Sequence, residues 1–120
     1  MSRRHSVVGS VVGGLLLIGA LGAQALENCE PPNATPEVPD GAIAEEAAMA
    51  EAGTEVRNFV EQTQQYLACL EARETELGDD ITEEQRADII TIYNNAVETM
   101  QAVADDFNEQ VARYREQIED

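Results

Sequence analysis

The sequence predicts an all-α protein: an antiparallel, coiled-coil-like two-helix hairpin behind an extended proline-rich N-terminal arm. Three observations predict it. Two long stretches carry apolar residues alternately three and four positions apart, the spacing that builds one buried stripe on a helix. Gly78-Asp79-Asp80 breaks the pattern between them. All four prolines fall between Pro31 and Pro39, ahead of the first stretch.

Residues 1–25 read as a secretory signal peptide. Arg3 and Arg4 supply the positive end, Val7 to Leu21 is free of charge, and Ala23-Gln24-Ala25 offers small residues for cleavage, leaving Leu26 as the new terminus. The uncharged run is short and rich in glycine against the roughly 20 mostly apolar residues of a membrane span. Glu27 and Asn28 before Cys29 do not suit a lipoprotein signal, and His5-Ser6 fits twin-arginine export poorly. No stable membrane insertion is expected after cleavage.

The arm is assigned to residues 26–40. Pro31, Pro32, Pro36 and Pro39 hold it extended, largely as polyproline II. Asn33-Ala34-Thr35 is a glycosylation sequon, meaningful only in a host that uses one. Asp40 is a suitable N-cap for a first helix over 41–77. Its stripe is Met49, Ala52, Val56, Phe59, Thr63, Tyr66 and Leu70, widened by Val60 and Leu67. Gly53 is a weak point, less favourable than alanine by up to about 1 kcal/mol.

The turn is expected at 78–81, with Gly78 ending the first helix. Thr82 with Gln85 three residues on forms a capping box for a second helix over 82–119. The second stripe is Ile89, Tyr93, Ala96, Met100, Val103 and Phe107, broadened by Ile90, Val97, Ala104 and Val111. So short a turn forces the helices antiparallel. Folding the chain about Asp79-Asp80 sets Leu70 against Ile89, Tyr66 against Tyr93, Phe59 against Met100, Val56 against Val103 and Ala52 against Phe107. The stripes stay in phase.

Both stripes are wider than a two-stranded seam needs, so Val60, Leu67, Ile90, Ile92, Val97 and Val111 require a cover. The arm folding back over helix 1 is one candidate. Dimerisation into a four-helix bundle is another, and the two are compatible. Two cysteines in an exported chain favour a disulfide. An intramolecular Cys29–Cys69 bond would pin the arm antiparallel to helix 1. From Asp40, Cys69 lies about 43 Å along the helix and Cys29 about 34 Å back along the arm. The gap nearly closes as drawn, and closes easily if the helix starts late. An intermolecular pair in a dimer is the rival.

Composition narrows the function. The chain has seven arginines, no lysine and 24 acidic residues. With Arg3 and Arg4 in the leader, five arginines face all 24 acids, a net charge near −19. Such a charge disfavours nucleic acid and anionic membrane surfaces as partners. A basic protein, or a second copy of the chain, is the expected partner. Past residue 25 there is no serine and no histidine. That removes a serine–histidine triad and a histidine metal site. No phosphate loop or calcium loop is present. The reading is of a non-enzyme without cofactor or metal.

Cys29-Glu-Pro-Pro, Val38-Pro39-Asp40-Gly41, Tyr66-Leu-Ala-Cys69-Leu70, Tyr93-Asn94 and Val103-Ala-Asp-Asp-Phe107-Asn108 together resemble an uncharacterised family of short, exported proteobacterial helical proteins. That resemblance implies a periplasmic setting and brings no activity. Ile81-Thr82-Glu83-Glu84-Gln85 is similar to the Leu-Thr-x-x-Gln motif of Spy-like periplasmic chaperones, although it occurs once here and the acidic charge departs from that family. The expected function is an exported cell-envelope interaction or structural protein, periplasmic, with secretion as the alternative. A chaperone-like client binder is the second reading. A weak divalent-cation binder, using clusters such as Glu45-Glu46 and Asp79-Asp80-Glu83-Glu84, is the third. Phe59, Tyr66, Tyr93, Met100 and Phe107 are the candidate interaction residues.

Overall fold

The computed structural model describes residues 29–119; the signal peptide, Leu26 and the leader's cleavage site lie outside them. Helix α1 spans Glu46–Leu77, a single 3-10 turn spans Gly78–Asp80, and helix α2 spans Glu83–Glu119. The helices pack side by side and antiparallel, as the stripes require.

The turn is built as its residues dictate. Gly78 has φ 51°, and its N–H donates to the Glu74 carbonyl to close α1. A side chain there would meet open space, so the demand for glycine comes from the backbone angle alone. The Thr82 N–H donates to Gln85 Oε1 at 2.9 Å and the Gln85 N–H donates to Thr82 Oγ1 at 3.0 Å. These reciprocal bonds satisfy two donors that no helical carbonyl can reach.

The seam follows the stripes. Met49, Ala52, Val56, Phe59, Thr63 and Leu70 are buried on α1. Leu70, Ile89 and Cys29 form one core cluster with Tyr66 and Tyr93 against it. Val56, Phe59 and Val103 form the other, with Val38, Met100 and Phe107 against it. Thr63, 1% exposed, donates its hydroxyl to the Phe59 carbonyl at 2.8 Å, which removes the penalty of burying it. Gly53 is no mere weak point. A Cβ there would lie 3.3 Å from the Phe107 ring, so the small residue opposite Phe107 is Gly53 as well as Ala52.

The first helix begins later than expected, at Glu46 rather than Gly41. Asp40 does cap, but it caps a short turn. Its Oδ1 accepts from the Ala42 N–H at 2.9 Å, and its carbonyl accepts from Ile43 and Ala44. Glu45 then returns to extended backbone before α1 starts. The cause is Gly41. A Cβ on Gly41 would fall 1.9 Å from the Gln110 carbonyl oxygen, so the backbone itself touches α2. The Gly41 N–H donates to Gln110 Oε1 at 2.9 Å. Gln117 Nε2 donates to the carbonyls of Gly41 at 2.7 Å and Ala44 at 3.1 Å. Backbone groups that would have entered a helix are bonded to α2 instead.

Candidate interaction surfaces

The two cysteines form an intramolecular disulfide, Cys29–Cys69, with Cα atoms 5.5 Å apart. The late start of α1 explains how the arm reaches. From Glu46 to Cys69 is only about 35 Å of helix, well within the span of the chain from Cys29 to Glu45. Cys29 is buried at 3% exposure and belongs to the Leu70–Ile89 core.

From this anchor the arm runs antiparallel to α1. The Asn33 N–H donates to Gln62 Oε1 at 3.3 Å. Pro36 and Glu37 pass Asn58 and Phe59, and Val38 packs on the Val56–Phe59–Val103 cluster. Val38 and Pro39 reach the level of Ala48 and Ala52 before Gly41 crosses to α2. An open groove of about 390 Å³ remains between the arm and both helices, lined by Pro31, Pro32, Thr63, Tyr66, Ile92 and Thr99. The arm therefore covers one flank of the hairpin.

The expected interaction residues are mostly core. Phe59 is 6% exposed, and Tyr66, Tyr93, Met100 and Phe107 are half-buried against the two clusters. Binding a client through Phe59, Met100, Val103 and Phe107 would require the seam to open. Tyr93 also holds a polar contact across the seam: its hydroxyl donates to Glu71 Oε1 at 2.9 Å. That bond, and then the carboxylate charge beside it, push the Tyr93 pKa above the ordinary tyrosine value.

Elsewhere the surface is acidic and loosely paired. Arg86–Glu74 at 3.6 Å, Arg113–Glu109 at 2.9 Å and Arg73–Glu76 are ion pairs on exposed or partly exposed side chains. Pairs of this kind contribute at most about 1 kcal/mol. Among the described residues, no group of three or more acidic, cysteine or histidine side chains is placed to hold a metal ion. No helix among them is long and apolar enough to cross a membrane. Ile81–Gln85, read by resemblance as a chaperone-type motif, performs the capping described above.

Gln110 and Gln117 are the residues that sequence reasoning missed. A signal existed. Ile89, Ala96 and Val103 recur every seventh residue, and the same row continues as Gln110 and Gln117. Two amides where apolar residues are due mark the place at which α2 stops facing α1 and meets bare backbone. Compared with known protein families, curated proteins and solved structures, the chain matches none.

Proposed function

We propose that this protein is an exported, non-catalytic component of the cell envelope, periplasmic, that works by binding a protein with a basic surface. The observation that supports the reading is the rod-like hairpin strapped by its own disulfide-anchored arm, with carboxylates on its outward rows. Asp105, Glu109 and Glu116 are exposed on α2, and Glu51, Glu55 and Glu61 are exposed on α1. A field of one sign steers an oppositely charged partner and weakens with salt. The disulfide agrees with an oxidising compartment. The lack of serine and histidine past residue 25 agrees with a role without catalysis.

The test is capture of basic envelope proteins on the oxidised, immobilised protein. The expected result is a partner that elutes as ionic strength rises and is retained less by the variant Asp105→Asn/Glu109→Gln/Glu116→Gln. Capture that is indifferent to both salt and these substitutions would defeat the reading.

A further inference from the structure

Among the described residues, the arm covers one flank of the hairpin and leaves the other open. On α2 the arm lies on the side of Ile92, Ala96 and Thr99, and on α1 on the side of Asn58 and Gln62. Residues seven apart on a helix return to nearly the same direction. The row Ile90, Val97, Ala104, Val111 and Ile118 therefore runs down the far flank of α2. Ile90 is 49% exposed and Ile118 60%, while Val97, Ala104 and Val111 are half-buried. Val60, half-buried against the Val56–Phe59–Val103 cluster, forms the α1 edge of the same flank, while Leu67, which the sequence placed on the flank, is buried in the seam at 8% exposure.

Charge selects what can cover this flank. Between Ala87 and Ile118, α2 carries Asp88, Glu98, Asp105, Asp106, Glu109 and Glu116. None of these lies in the apolar row, which only Glu83 heads one heptad before Ile90, and none in the adjoining row Ala87, Asn94, Gln101, Asn108, Arg115. On α1 the facing row reads Ala50, Arg57, Gln64, Glu71. Its one carboxylate, Glu71, is exposed and accepts from the Tyr93 hydroxyl while keeping its charge, and the Val60–Leu67 row ends on Glu46 and on Glu74, which pairs with Arg86. A protein with 24 acidic residues thus has one long apolar flank rimmed mainly by amides and arginines, with Glu71 and Glu83 as carboxylates near its turn end. A basic partner gains nothing there and is drawn to the acidic outer rows. Two copies of this chain repel along those rows, and this flank is where they can approach with the fewest carboxylates set against one another. It is also self-complementary, apolar against apolar with amides at the rim, as a two-fold interface requires.

We propose that the arm-free flank is a homodimer interface, closing two strapped hairpins into a four-helix bundle. The interface is separate from the acidic surface assigned to a basic partner, and it stands whether or not that partner exists.

The test is sedimentation equilibrium of the processed, oxidised protein. The expected species is a non-covalent dimer that tightens as salt rises, because screening weakens the net repulsion between copies. Asn94→Asp/Gln101→Glu/Asn108→Asp places three acids on the rim. It should weaken the dimer by roughly tenfold or more at unchanged helicity, since like charges are set face to face. Ala72→Glu/Thr91→Glu/Ala102→Glu adds the same charge on exposed outward positions and should weaken it far less. If the rim variant loses helicity, Gln101→Glu alone makes the same comparison. A wild-type protein that stays monomeric from micromolar to millimolar concentration overturns the proposal. So does a dimer that the rim and outward variants weaken equally.

Discussion

Gly41 and Tyr93 each do something that their residue type alone does not announce. Gly41 lets two backbones touch, and any side chain there would collide with the Gln110 carbonyl. Gly41→Ala should therefore force the arm off the end of α2, releasing the Gln110 and Gln117 bonds. A loss of about 1–3 kcal/mol is expected, the range for a forced clash in a packed site, read as a lower midpoint in thermal unfolding. At Tyr93 the expectation concerns pH. Its hydroxyl proton is held by Glu71, so the folded pKa lies above the ordinary value. The contribution to stability is present below the unfolded tyrosine pKa and is lost as pH rises through the folded one. Ultraviolet titration should show one tyrosine ionising later than an ordinary tyrosine, and Glu71→Gln should bring it back toward that value.

Among the elements, the caps show how unevenly a sequence discloses its structure. Thr82 and Gln85 carry their own partners within three residues, so the start of α2 could be read to within one residue. Thr82→Ala should destabilise the fold by about 1 kcal/mol, visible in denaturant unfolding with an unchanged slope. The start of α1 could not be read in the same way. Asp40 looks like an N-cap and makes cap-like bonds, yet the chain after it is claimed by Gln110 and Gln117, some 70 residues away in sequence. A local signal lost to a distant one. The seam was legible because its periodicity repeats over many turns, which no single contact can overrule. Which flank the arm takes was not legible, since both flanks of the seam are apolar and the proline segment bears no mark of handedness.

At the scale of the molecule, the disulfide joins the arm to the upper half of α1 and the glutamine pair joins its other end to the tail of α2. Closing a loop of 40 residues is worth roughly 4 kcal/mol in the chain-entropy model, a large share of the stability of so small a domain. Reduction, or Cys29→Ser, should lower the unfolding midpoint and deprotect the bonded arm amides of Asn33 and Gly41 in hydrogen exchange before those of the seam. Protection lost everywhere at once would mean that the arm and the hairpin unfold as one unit.

The same closed loop gives the protein an uneven response to force. Load applied between the two ends of the chain passes through the Cys29–Cys69 sulfur bridge and bypasses everything between them. Helix α2 can be stripped away and stretched, but the arm and the first three-quarters of α1 bear no tension. Their 40 residues are hidden length, about 140 Å at full extension, that a pulled molecule yields only when a reductant cuts the bridge.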